Sequence, residues 1–385
     1  MTTYQAFDTI AHATRLHQAG LDHELQDYIS HLSHDGIDEI SPWLSQLSLR
    51  ASEYDQNKLP ECVYQRSEGW RDYFQGRYSD AHRRFQASIE SNEWHQYAYD
   101  AALGMAKVYT RSGHWRSAQQ WTLYYLSLAR AQRDDFGLTK GYGALAEIYL
   151  RANQPQAALA CFQIANQLMP LGQGQLDKQY NFIASALMRN GEWLRAETLL
   201  RNSIKMSSDK LNINPDDLSA KISYLHSFSR LSYLNLARMQ PLQLPTDIEA
   251  LSNNLADNSL ASALYVPFGF ILVARAIESL RNHQADDAQS DLLSALSAFK
   301  DIAPMEYQWV SRLQDALVGK LESNFNIDAQ CHELLSIQSL KAPMINVVVD
   351  KTWSEIALND VGYETLIADQ NSIEHIIEIW RLFFI

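Results

Sequence analysis

Glycine and proline are scarce, at 15 and 10 of 385 residues. That works against a strand-rich fold with many tight turns and favours long helices joined by brief connections. Cysteine is scarcer still. Cys62, Cys161 and Cys331 lie far apart with no Cys-x-x-Cys pair, so neither a zinc knuckle nor a disulfide framework is indicated, and a reducing, cytoplasmic setting is expected. Basic residues are outnumbered, 32 Lys and Arg against 45 Asp and Glu, and the net charge of −13 argues against general binding to nucleic acid. Long apolar runs are missing as well. The run Leu264–Ala274 is too short to span a bilayer and contains Pro267 and Gly269. The first residues, MTTYQAFDTIAHATRLHQAG, lack the basic region and apolar run of a secretory signal, so a soluble chain without membrane attachment is expected.

What the chain does contain is a repeat. At 385 residues it exceeds one ordinary core, which leaves several domains or one extended array. Four segments align without gaps: GWRDYFQGRYSDAHRRFQASI (69–89), AKVYTRSGHWRSAQQWTLYYL (106–126), AEIYLRANQPQAALACFQIAN (146–166) and ASALMRNGEWLRAETLLRNSI (184–204). Each opens on a small residue, Gly69, Ala106, Ala146 or Ala184, where two helices approach closely. Gly76, Gly113, Asn153 and Gly191 then stand where a first helix must end, because Gly and Asn tolerate the left-handed conformation of a helix stop. Tyr78, Trp115, Pro155 and Trp193 follow two residues later. A second helix supplies Ala81, Ala118, Ala158 or Ala196, with Phe85, Thr122, Phe162 or Leu200 one helical turn beyond on the same face.

The marker alanines recur at intervals of 37, 40 and 38 residues. This pattern resembles the tetratricopeptide repeat family, whose period is about 34, and the stretch LAEIYLRANQPQAALACFQIANQLMP (145–170) resembles it best. The resemblance covers about residues 62–207, with a later unit near 268–300 marked by Ala288. It implies an all-α, right-handed solenoid of helix-turn-helix repeats, with first helices lining a concave groove that receives a partner polypeptide.

Residues 1–60 are expected to form capping helices, 61–304 the array, and 305–385 a C-terminal segment. Between the fourth and the later unit, Asn214-Pro215-Asp216-Asp217 is expected to cap a helix with Pro215 at its first position. The C-terminal segment should hold helices over 305–325 and 328–340, a short strand at Met344–Val349 and a closing helix from Ser372. Ile373, Ile376, Ile377, Trp380, Phe383 and Phe384 share one face of that last helix, which would cap the array or form a homodimer contact.

No catalytic constellation emerges. Gly172-Gln-Gly174 follows a helix and lacks the third glycine of a dinucleotide fingerprint, and no Walker, Gly-x-Ser-x-Gly or His-Glu-x-x-His sequence occurs. His31 and His34 lack a third ligand at a defined spacing, so neither metal nor cofactor is expected. Arg77 and His82 match the spacing of HEPN-type ribonucleases but straddle a repeat turn, where both occupy ordinary repeat positions.

The candidate partner surface is the inner face of the first helices, which is basic. It comprises Lys107, Arg111, Lys140, Arg151, Lys178, Asn181 and Arg189, with Arg66, Trp70 and Phe74 at four-residue steps as an anchor on the first repeat. Such a stripe suits a protein or peptide with an acidic segment or C-terminal carboxylate, which Arg grips bidentately. The arginines also stand in last turns, where any helix favours a cation, and the aromatics could equally pack against the preceding cap. A noncatalytic adaptor or scaffold is expected. The alternatives are a ligand-responsive sensor or an effector whose C-terminal segment carries an activity that the repeats regulate.

Overall fold

The computed structural model describes residues 61–91, 99–168, 176–215, 217–244 and 261–317, together with 337, 338, 340–342, 353, 356 and 358. The expected N-terminal caps, the strand at 344–349 and the closing helix from Ser372 lie outside the described residues. Within them the chain is mostly helical, with twelve helices and no strand. In order these are α1 (Glu61–Phe74), α2 (Tyr78–Glu90), α3 (Asp100–Arg111), α4 (Trp115–Ala131), α5 (Asp135–Arg151) and α6 (Pro155–Leu168). They continue with α7 (Leu176–Arg189), α8 (Trp193–Ile213), α9 (Leu218–Ala237), α10 (Ala261–Arg281), α11 (Ala285–Phe299) and α12 (Pro304–Leu317).

The helices end where the expected stop residues stand. Gly76, Gly113, Asn153 and Gly191 have φ of 76°, 81°, 56° and 78°. The amide of the following residue reaches back to the carbonyl five residues earlier: Arg77 to Asp72 at 2.9 Å, His114 to Tyr109 at 3.0 Å, Gln154 to Tyr149 at 2.8 Å and Glu192 to Leu187 at 2.9 Å. This is the Schellman closure, which satisfies carbonyls that a helix end leaves open. The same bond recurs at Gln240 to Asn235 and Gln284 to Ser279, after Met239 and His283 with φ of 56° and 61°. At Gly76 a side chain would also collide with a neighbour, since its Cβ would lie 2.7 Å from Ile302 Cα.

Side-chain size then fixes how the helices pack. The marker residues Ala81, Ala118, Ala158, Ala196 and Ala288 are all fully buried. Phe85 shows why the neighbouring positions must be small: a Cβ on Gly69 would come within 2.7 Å of its ring and one on Gly104 within 2.4 Å. Each helix packs mainly on its chain neighbours, and the first helices of successive pairs also touch, α1 with α3, α3 with α5, α5 with α7 and α7 with α9. One core runs through these contacts from Tyr78 to Leu313 and also takes in Ile337, Trp353 and Leu358. The other end of the series returns to its start. Helix α10 touches α1, and the Tyr78 hydroxyl donates to Ile302 O at 3.4 Å.

Two local expectations are corrected. Pro215 does not open α9; the helix starts at Leu218, capped by Asp217, whose carboxylate accepts from Ala220 N at 2.9 Å. The carboxylate satisfies an open amide that a proline N1 could only have omitted. The helix expected over 328–340 does not reach its predicted end either, because Ile337, Gln338 and Leu340 are non-helical. Their carbonyls are bonded to side chains of the repeats instead of to a helical turn.

Candidate interaction faces

Two faces of the same helices carry polar side chains that are buried in an ordered arrangement. The first is the inner face read from the sequence. Position six before each turn holds Lys107, Glu147 and Ser185, and position two before it holds Arg111, Arg151 and Arg189. Four residues apart on a helix, these share one side.

The face forms a charge ladder. Lys107 on α3 pairs with Glu147 on α5, which also faces Arg151 at 3.5 Å. Burial by itself would raise the Glu147 pKa, yet Lys107 and Arg151 hold it well below the usual carboxylate range. Arg111 meets Glu306 of α12 at 2.7 Å, and Glu306 is 3% exposed. Arg230 of α9 reaches across to Ser185 Oγ at 2.6 Å and to His226 O at 3.3 Å, 5.8 Å from the Phe182 ring centroid. Among the described residues no carboxylate lies within ion-pair range of Arg230. Burial therefore pushes its pKa down to about 10, with Glu147 only partly opposing, and the guanidinium remains charged at neutral pH.

The other sequence candidates are placed as follows. Arg66 faces Asp100 across the α1–α3 contact at 3.5 Å. Trp70 stacks on Phe74 at 5.9 Å and meets Phe85 edge-on at 5.1 Å, so this anchor is tied into the first helix pair. Lys140 and Arg189 are half-buried on α5 and α7, and Lys178 lies in the first turn of α7. Asn181 occupies the interior. It is 3% exposed, and its amide donates to Ser203 Oγ, Ser223 O and Ser223 Oγ at 3.2–3.3 Å, between α7, α8 and α9. These bonds satisfy the amide nitrogen within the fold, as a buried donor requires. The structure thus brings Lys107, Arg111 and Arg151 together, adds Arg230, and leaves Asn181 away from the ladder. The pair Arg77 and His82 is separated: Arg77 bonds Asp72, and His82 Nε2 lies 2.9 Å from the Tyr109 hydroxyl.

The second face lies on the opposite side of α3 and α5. Tyr109 and Tyr149 stand two residues from Lys107 and Glu147, which at roughly 100° per residue is about half a turn away. Here side chains hold the tail by its main chain. His114 Nε2 lies 2.9 Å from Ile337 O, the Tyr109 hydroxyl accepts from Leu340 N at 2.7 Å, and Trp121 Nε1 donates to Leu340 O at 2.8 Å. Gln119 Nε2 donates to Trp353 O at 2.8 Å and to Ile356 O at 3.0 Å, and the Tyr149 hydroxyl donates to Trp353 O at 3.1 Å. Arg116 closes the series on Leu358 O at 3.3 Å. The Trp353 indole sits against Tyr142 and Tyr149, at 6.4 and 6.0 Å between centroids.

No family model matches the chain, and no curated protein matches it in sequence.

Arg230, Glu306 and the tail-holding side chains were not singled out in the sequence. For Tyr109 and Tyr149 a signal existed: both stand four residues before a repeat turn, at Gly113 and Asn153. Arg230 gave none, because its helix stops at Met239 rather than at Gly or Asn. Among the described residues no group of three or more His, Cys, Asp or Glu could hold a metal ion, and no helix is long and apolar enough to cross a membrane.

Proposed function

We propose that the chain is a noncatalytic polypeptide-binding adaptor, a right-handed solenoid of tetratricopeptide-like helix pairs whose inner face receives an acidic segment or a C-terminal carboxylate. The repeated Schellman turns and the buried marker alanines support the repeat reading. The binding reading rests on Arg230. Lys107 pairs with Glu147 and Arg111 with Glu306, whereas among the described residues no carboxylate lies within ion-pair range of Arg230. A desolvated cation without a counter-charge is costly, and an incoming carboxylate relieves that cost while a neutral peptide does not. The buried thiols Cys62 and Cys161 are unbridged, in keeping with a reducing, cytoplasmic compartment.

The test is a fluorescence-anisotropy titration of the full chain with a fluorescein-labelled hexaglutamate carrying a free C-terminus. Binding should weaken as salt rises, because the exposed part of the interaction is screened over about 10 Å at 0.1 M. Arg230→Gln should weaken it about tenfold, the equivalent of ~1.4 kcal/mol. Equal affinity for hexaglutamate and a neutral hexaglutamine, or an unchanged affinity in Arg230→Gln, would overturn the assignment.

A further inference from the structure

An arginine side chain that becomes ordered only when its ligand arrives subtracts the cost of that ordering from the affinity. Arg230 is held beforehand. Its Nε donates to Ser185 Oγ of α7 at 2.6 Å, and its Nη1 donates to His226 O, one turn back on α9, at 3.3 Å. A guanidinium has five N–H donors in one plane, so one on Nη1 and both on Nη2 are left over. Among the described residues Nη2 has no acceptor. Phe182 stands three residues before Ser185 on the same face of α7, with its ring centroid 5.8 Å from the guanidinium, and it stacks on Phe162 of α6 at 5.7 Å.

The acceptor is equally well defined. A serine hydroxyl has one hydrogen, and that of Ser185 goes to Asn181 O at 3.1 Å, which turns a lone pair toward Arg230. Ser185 is fully buried, so it meets a ligand only through Arg230. The same stretch of α7 sets the register of α9. Asn181 Nδ2 donates to Ser223 O at 3.2 Å, two turns before Arg230, and Ser227 Oγ lies 2.8 Å from Ser203 Oγ of α8. The chemical type of residue 185 matters as much as its place. It stands six residues before the repeat turn, where α3 has Lys107 and α5 has Glu147. A carboxylate at that position would neutralise Arg230 from within the fold, and a cation would repel it. A neutral hydroxyl does neither: it takes one donor and leaves the charge uncompensated.

We infer, on the footing that Arg230 receives an acid as proposed above, that Ser185 is the positioning residue of the inner face. It fixes Arg230 with its Nη donors available to the paired oxygens of an incoming carboxylate, and by being neutral it determines that the acid binds at α7 and α9 and not elsewhere on the ladder.

The test repeats the hexaglutamate titration on full-length variants. Ser185→Ala should bind about fivefold more weakly than wild type, the equivalent of ~1 kcal/mol, while melting close to it, because alanine fills nearly the same space and favours the helix. Ser185→Thr keeps the hydroxyl and should restore most of the affinity. A second measurement needs no ligand and reads Arg230 directly. In nuclear magnetic resonance spectra of the arginine Nε–H groups, the Arg230 proton should exchange with water about tenfold more slowly in wild type than in Ser185→Ala, as expected for losing one hydrogen bond to a charged group. A purely structural serine would change melting and leave that exchange rate alone. If wild type binds hexaglutamate through Arg230 and Ser185→Ala binds it equally well, the inference fails and the acid site stands without it. Equal Nε–H exchange in the two proteins overturns it as well. No binding of hexaglutamate by wild type overturns both the inference and the acid site.

Discussion

Replacing Arg111 with methionine removes the guanidinium that lies 2.7 Å from Glu306 and leaves a carboxylate that is 3% exposed without its counter-charge. Breaking a buried pair from one side costs about 3–5 kcal/mol, most of it the desolvation of the charge left behind. The Arg111 side chain keeps 24% of its exposure, so some water remains beside the pair and a loss of ~2–4 kcal/mol is expected. Replacing both partners, Arg111→Met with Glu306→Leu, removes both charges and should recover stability to within ~1 kcal/mol of the parent. The assay is a double-mutant cycle in urea followed by circular dichroism, read as a coupling energy of about 2 kcal/mol between the two positions. The reasoning is refuted if Arg111→Met melts like the parent, or if the double variant is as unstable as the sum of the singles. The outcome also bears on function. A charge reversal at Arg111 sets two carboxylates against each other inside the fold, so lost binding in such a variant would report damage to α12 packing and not a missing partner contact.

Two further predictions concern the repeat core and the ladder. Gly104→Ala places a Cβ within 2.4 Å of the Phe85 ring, and overpacking of ~1–3 kcal/mol should outweigh the helix-propensity gain of about 1 kcal/mol, whereas Gly143→Ala, with nothing within 4 Å, should stabilise; thermal melts of the two variants moving in the same direction would contradict this. Because the Glu147 pKa is depressed in the folded chain, its contribution is complete above the unfolded carboxylate value of about 4.3 and is lost as pH falls below it toward the folded value. Glu147→Gln should therefore flatten the acid limb of the stability profile below about pH 4–5, and an unchanged limb in urea titrations at pH 3 to 6 would rule the ladder out as its cause.

The repeat was legible because it rests on residues with few substitutes. Left-handed stops favour Gly or Asn, and close helix crossings need Gly or Ala, so Gly76, Gly113, Asn153, Gly191 and the marker alanines declare themselves at fixed intervals. The later stops at Met239 and His283 adopt the same conformation without the favoured residue, because the packed helices on either side over-determine the turn. The inner face was legible only in part. Periodicity places Lys107, Arg111 and Arg151 on one side, but pairing with Glu147 is a matter of neighbouring repeats, and pairing with Glu306 joins residues 195 positions apart. Arg230 and the tail contacts depend on which distant segment arrives opposite a given side chain, and no local pattern encodes that. Asn181 shows the converse. It stands at a helix position that looked like surface, and α8 and α9 pack over it.

The two halves of the ladder differ in a way that bears on how a partner would engage it. At the α3 end the chain supplies its own acid, since Glu306 holds Arg111 and Glu147 holds Lys107. At the α9 end the partners of Arg230 among the described residues are a hydroxyl, a carbonyl and the Phe182 ring. A carboxylate arriving at the α3 end must displace one already bonded in a buried setting, which gains little, because one ion pair replaces another. One arriving beside Arg230 forms a pair where none existed and lies next to Phe182, which is 38% exposed and offers an apolar contact. The inner face should therefore be selective for a ligand whose acidic group lies beside an apolar one, with affinity concentrated around α7 and α9. On that reasoning Phe182→Ala should weaken binding of an acidic peptide containing an aromatic residue more than it weakens binding of hexaglutamate, since an aromatic pair adds about 0.5–1.5 kcal/mol beyond burial. Equal losses for the two peptides would place the ligand elsewhere on the ladder.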